Sequence, residues 1–364
     1  MSTDDLLEPP AFATDADDRA LSALARSVPM RGSIAYVLER EPSFLAMSRA
    51  QGDGTRVVVL REREGGRIVA SGMGAPTRVF LNGAEREIVY AGDLKVHPDY
   101  RRKGVAGVVL RAAIEAFSDQ DLAFGSVLRD NDAVLRFFGA SADLVRLHPV
   151  ADVANYTVFF GRARRTSGVR RAEPADAGAM VELFARVQRG RQLAPVLDRA
   201  NPVEALTRWP GMQLSDYFVL ERGGRVVAFA GVWDAFAVKQ VRLLSLSPAL
   251  SAVRVGYNAL ARALGRPRLP RDGAHLRFVY VTTVCAEDAD DLGVVLRGIE
   301  AAFGHGEHVY FDMAFDERDP LVRALDGFLK SKVGFRVSLL TWGKNLDRPP
   351  ALDGRPVYFD AAIV

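Results

Sequence analysis

Apolar positions along the chain recur with two periods, and the change from one to the other predicts the elements. Residues 17–30 place Leu21, Leu24 and Val28 at helical spacing, with Asp17 and Asp18 suited to the helix start. The spacing predicts a second helical region over 33–50. It carries Ile34, Val37 and Leu38, then Phe44 and Leu45 after Pro42, and puts Arg40 and Glu41 on a solvated face. Alternation takes over at 56–60 and 67–71, which flank a Gly65-Gly66 turn. It continues at 77–81 and 87–96, joined through Asn82-Gly83. A helix over 104–117, a strand at 122–128, a short helix at 131–138 and a strand at 156–160 follow.

Residues 161–168 (GRARRTSG) are polar, basic and flanked by glycine, and mark a boundary. Beyond them the pattern begins again. The segment Val59 to Ala70, with its Gly65-Gly66 turn, is answered by Val219 to Ala228 with Gly223-Gly224, about 158 residues later. A further helix over 250–265 precedes a strand at 275–284. This repetition predicts a first domain over 11–160, a linker at 161–168 and a second domain over 169–364, and the acidic start predicts residues 1–10 as a loose N-terminus.

Length and composition narrow the class. A chain of 364 residues with 49% hydrophobic and 26% charged content suits two soluble globular domains. No apolar run approaches the roughly 18–20 residues of a membrane helix, so no membrane partner is expected. The N-terminus is acidic and unlike a secretory signal. The net charge of +3 is thinly spread, without an aromatic-basic stripe for nucleic acid. Cys285 is the only cysteine; a buried, inert thiol in a cytoplasmic protein is the expectation.

The chemistry concentrates at residues 93–117 (DLKVHPDYRRKGVAGVVLRAAIEAF). A strand ending Leu94-Lys95-Val96 is broken by Pro98, and Arg101, Arg102, Lys103 and Gly104 lead into a helix. The first amides of a helix have no internal partner and the dipole adds positive charge there, so this is a phosphate site. The order Val96-x-Pro98-x-x-Arg101-x-x-Gly104-x-Ala106 resembles the acyl-CoA signature of the GNAT acetyltransferase superfamily.

The resemblance implies an α/β (α+β) chain of two tandem GNAT folds, each a mixed, mostly antiparallel sheet flanked by helices. It implies acetyl-CoA, or another acyl-CoA, as co-substrate. The pyrophosphate would lie on Arg101, Arg102, Lys103, Gly104, Val105 and Ala106. Pantetheine would pair with the backbone of Leu94, Lys95 and Val96, with Asn131 near its arm. Many family members have a tyrosine, the acid for the departing thiolate, where this chain has Phe138; Tyr156 is a possible substitute. Candidate bases for an amine acceptor are Asp93, Tyr90 and the terminal carboxylate of Val364, at the end of the apolar stretch 357–364 expected as a strand. Asp93 could equally orient the acceptor without moving protons. In the second domain the phosphate loop is replaced by Glu287, Asp288, Asp290 and Asp291, so that copy is expected to be degenerate.

The expected activity is acetyl transfer from acetyl-CoA to a small-molecule or peptide amine, by direct attack in a ternary complex. The alternatives are a longer acyl donor, or a non-catalytic acyl-CoA sensor or scaffold. No metal is expected: His305 and His308 lie in a turn without a further evident ligand.

Overall fold

The computed structural model describes residues 6–161 and 166–363. The expected linker therefore lies partly outside the described residues, as do residues 1–5 and Val364. Within the stretch expected to be loose, Leu7 is buried and bridges to Glu62.

The first half runs β1 (Ala11–Phe12), α1 (Asp18–Ser27), β2 (Ile34–Glu39), α2 (Phe44–Arg49), β3 (Arg56–Arg61), β4 (Ile68–Leu81) and β5 (Ala84–Val96). It continues with α3 (Val105–Ala116), β6 (Ala123–Leu128), α4 (Asp132–Ala140) and β7 (Val145–Phe159). The second half runs β8 (Val169–Arg171), α5 (Ala177–Gln188), α6 (Pro202–Leu206), β9 (Tyr217–Arg222), β10 (Arg225–Trp233) and β11 (Gln240–Leu246). Then come α7 (Pro248–Ala263), β12 (Phe278–Ala286), α8 (Ala289–Phe303), β13 (Tyr310–Asp316) and β14 (Lys330–Trp342).

Among the described residues one mixed sheet of 12 strands carries the fold, in the order β1-β3-β4-β5-β6-β14-β7-β13-β12-β10-β9-β8. Each half contributes one parallel pair, β5 with β6 and β12 with β13. The middle of the sheet is an exchange. The last strand of the second half, β14, pairs with β6 of the first, and the last strand of the first half, β7, pairs with β13 of the second. The two exchanged strands also pair with each other along their length.

The expected helix over 33–50 is corrected. Ile34–Glu39 is a strand that pairs antiparallel with Gln240–Leu246 in a separate two-stranded sheet. Only Phe44–Arg49 is helical, with the Ser43 hydroxyl accepting from the Ala46 amide. Apolar spacing in so short a segment fits either period, and a partner about 200 residues away decides it. Arg40 is correspondingly not solvated: it is 4% exposed. The expected strand at 357–364 is also corrected, since Ala361–Ile363 form a turn of 3₁₀ helix. Val357, Phe359, Ala361 and Ala362 belong to the largest hydrophobic cluster, so the segment 357–362 packs into the core.

Candidate functional site

The phosphate loop forms because β5 cannot continue. The His97 amide still pairs with Val69, after which Pro98–Tyr100 turns the chain as 3₁₀ helix. Gly104 then caps α3 with φ at 77°, a left-handed conformation that glycine adopts without strain. Its carbonyl accepts from Gly107 and Val108, which starts the helix. A side chain at Gly104 would meet nothing within 4 Å, so the mouth of the loop is open. Arg101, Arg102 and Lys103 are exposed around it. Tyr100 supports the loop from below: its hydroxyl donates to Glu62 at 2.5 Å, and its ring lies 5.1 Å from the Lys103 ammonium. Val105 and Val109 anchor the helix against Val58, Leu60, Val69 and Ala70.

Next to the loop the sheet forks. The β5–β6 ladder holds only at Val89–Ala123 and Tyr90–Phe124. Beyond this point β5 stays with β4 while β6 stays with β14. Asp93 and Leu94 form a bulge opposite Gly72, and Asp93 takes φ at 53°. The main chain of Leu94 to Val96 thus faces the fork beside the phosphate loop. Gly125 sits at its apex, where a Cβ would come within 2.8 Å of the Ala91 carbonyl. Asn131 caps α4, accepting from the Val134 amide at 3.3 Å. No residue of α4 is fully buried. Phe138 packs half-buried among Val89, Phe117 and Leu340. Tyr156 lies elsewhere, against Phe315 and in the second half's cluster, so it is not brought to the fork.

Asp93 meets Arg40 at 3.1 Å and also pairs with Lys95. Burial works against its charge, but Arg40, Lys95 and Lys239 outweigh it and hold the carboxyl well below its ordinary range. Tyr90 is buried, which pushes its phenol far up, and its hydroxyl donates to the Ile363 carbonyl at 3.2 Å. The Lys239 ammonium, from the second half, donates to the Ala362 carbonyl at 3.3 Å. Burial, helped by the charge of Arg40, pulls this lysine down to about 7. No local pattern in the sequence marks Lys239.

The second half repeats the fork. Tyr280 pairs with Asp312 at the last position of the β12–β13 ladder, as Tyr90 does with Phe124. Thr283, three residues beyond Tyr280, takes φ at 50° beside a bulge, as Asp93 does beyond Tyr90. Here the notch is occupied by the chain's own tail: Asp360 accepts from the Thr282 hydroxyl at 2.5 Å and the Thr283 amide at 3.3 Å. Three of the four acidic residues at the following helix start are spent on structure. Asp288 caps α8, Glu287 pairs with Arg186, and Asp291 pairs with Arg222. Asp312 accepts from Thr157 at 2.7 Å, and burial raises its carboxyl to about 6. The hydroxyls of Tyr36, Tyr280 and Tyr310 feel its charge. An acid inside the apolar run 309–315 is the one sequence signal that could have drawn attention to it.

Other candidates fall outside this cleft. Cys285 is fully buried, which pushes its thiol far up. Asp234, Glu307 and His308 come together, but Arg277 pairs with both carboxylates. Val364 lies outside the described residues. Its predecessors at 362 and 363 lie beside Lys239 and Tyr90.

Residues 28–141 match the acetyltransferase (GNAT) family. No curated protein matches the chain. Among solved structures, Saccharomyces cerevisiae N-myristoyltransferase with bound myristoyl-CoA is similar at a TM-score of 0.64 and 13% identity, covering 97% of this chain and 90% of that one. A second structure of that protein with bound myristoyl-CoA gives 0.65 and 13%, covering 97% and 85%. A conserved protein of unknown function from Enterococcus faecalis V583, described as a probable N-acyltransferase, gives 0.50 and 9%, covering 92% and 72%. The signature loop and the fork thus lie within the stretch that matches the acetyltransferase (GNAT) family, residues 28–141, in a chain that folds as two tandem GNAT-like units.

Proposed function

We propose that the chain is an N-acyltransferase that moves an acetyl group from acetyl-CoA to an amine on a small molecule or peptide. The observation that carries this is the fork of β5 and β6 opening directly onto the Gly104 loop. Amides of Val105 and Ala106 and the cations Arg101, Arg102 and Lys103 take the pyrophosphate. The free edge of Leu94, Lys95 and Val96 pairs with pantetheine, and Asn131 stands beside its arm. The thioester carbonyl then sits above the bulge, and the amine attacks it; the new C–N bond forms as the C–S bond breaks and CoA thiolate leaves.

The attacking amine must give up a proton. Asp93 is badly suited to take it, because Arg40, Lys95 and Lys239 already stabilise its charge, and Tyr90 is not available as a phenolate. We assign Asp93 to orienting Arg40 and Lys95, and Tyr90 to holding the chain end through Ile363. The proton passes to solvent water at the open fork. With Phe138 in place of a phenol, the thiolate leaves without a general acid.

A longer acyl donor is the second reading, favoured by the fold shared with structures that hold myristoyl-CoA. Thiol release is measured with a panel of amines and a chain-length series of acyl-CoAs. Acetyl-CoA is expected to be consumed. Binding without any thioester consumption would leave a sensor; preference for long chains would replace acetyl.

A further inference from the structure

Helix α7 is mounted firmly on its inner side. Tyr257 packs on Phe159 at 5.5 Å, Arg254 pairs with Asp272, and Asn258 clamps Leu269 through both its backbone amide and carbonyl. Its outer side is unlike the surface of a soluble domain. From Pro248 through Leu264 every exposed residue except Arg262 is apolar. Val253, Val255, Leu260 and Leu264 are 62%, 69%, 59% and 63% exposed. Val253, Leu260 and Leu264 lie along one stripe of the helix, and Ala252, Gly256, Ala259 and Ala263 widen it. A contiguous exposed apolar face of this kind marks a docking surface.

The charge around the face selects its occupant. Residues 248–271 contain five arginines (254, 262, 266, 268 and 271) and no acid. The next acid, Asp272, is paired with Arg254. Arg262, Arg268 and Arg271 are exposed at the helix end and in the segment after it. Pairing α7 with a parallel second copy would crowd these arginines against their equivalents, and an antiparallel copy offers them no acid within residues 248–271. An anionic bilayer instead accepts the apolar stripe between acyl chains and the arginines at the headgroups.

We propose that α7 seats this protein on the surface of a membrane containing anionic lipid, lying in the interface without crossing it. This departs from the expectation of no membrane partner, which rested on the lack of a spanning helix. Among the described residues no helix is long and apolar enough to cross, and an interfacial helix needs no such length.

The test is flotation of the full chain with vesicles of phosphatidylcholine alone or mixed with phosphatidylglycerol. The wild type is expected to float with the mixed vesicles and not with phosphatidylcholine alone. Its binding should weaken by about tenfold or more when Arg262, Arg268 and Arg271 are changed together to glutamate. A Val253→Glu/Leu260→Glu variant, whose changes lie at exposed positions of the stripe, should lose flotation while keeping its thermal unfolding profile and its affinity for CoA. Wild type that stays behind with either vesicle, or that floats equally with both, overturns the proposal. So does a light-scattering dimer that the double variant converts to monomer, because the face would then belong to a second copy.

Discussion

Gly104 and Lys239 show how much a single residue depends on local or distant surroundings. At Gly104 the requirement is local: φ is 77° and the space beyond is open. Gly104→Asp should therefore meet no clash but strain the left-handed turn by about 1 kcal/mol, while placing negative charge at the pyrophosphate position. Calorimetry should show CoA affinity reduced by about 1.5–3 kcal/mol, the scale of a charged hydrogen bond. Unchanged affinity would remove the phosphate from this loop. Lys239 is different, since its burial comes from tertiary structure. Its pKa falls from the ordinary lysine value to about 7 in the folded chain. Between about pH 7 and 10 the unfolded chain holds this proton and the folded chain does not, so stability contributed at this site rises with pH. Lys239→Met should flatten the rise of chemical-denaturation stability over that window; an unaltered slope would mean that the lysine is charged in the fold. Arg101 to Ala106 are legible in the sequence because a glycine, a helix start and adjacent cations act over a few residues. Lys239 and Asp312 are not, since what makes each reactive is contributed by strands more than a hundred residues away.

Among the elements, the fork of β5 and β6 carries the proposed donor site, and its opening depends on Gly125 at the apex. A Cβ there would press on the Ala91 carbonyl, which is backbone and cannot step aside. Gly125→Val should lower stability by about 1–3 kcal/mol, the usual cost of overpacking, and should weaken CoA binding as the fork is forced apart. Denaturant titration and calorimetry on the same variant check both effects. Full stability with full CoA affinity would show that the apex tolerates a side chain. The hairpin turns at Gly65-Gly66 and Gly223-Gly224 were readable because their glycines take left-handed φ values from 57° to 84°. The strand β2 was misread as helix because its pairing partner, β11, lies in the other half.

At the scale of the whole molecule the two halves divide the work unequally. The first half has three cations around an open glycine, and the second has acids at the same place with Asp360 of the tail in its notch. Two unit charges 4 Å apart interact by roughly 4 kcal/mol at an effective dielectric of 20. Solvent screening shrinks this without reversing its sign. Titration of the full chain should therefore give one CoA per chain, and two equivalent sites would contradict the division. The exchange of β14 and β7 bears on the design of that experiment. Residues 1–161 alone would lack β14, which lies between β6 and β7, so the full chain is the form to titrate.

What the sequence determined by itself is local or repeated: the strand-loop-helix of the phosphate site, the Gly-Gly hairpins and the recurrence of one pattern after residue 168. Each rests on contacts among near neighbours, where residue type and spacing suffice. Tertiary structure decided the rest. It set β14 between β6 and β7, paired β2 with β11, and buried Arg40 against Asp93. It also carried the end of the chain from Asp360 at one fork to Ile363 at the other. These outcomes depend on which distant surfaces lose water together, and no periodicity along a single strand of chain records that choice.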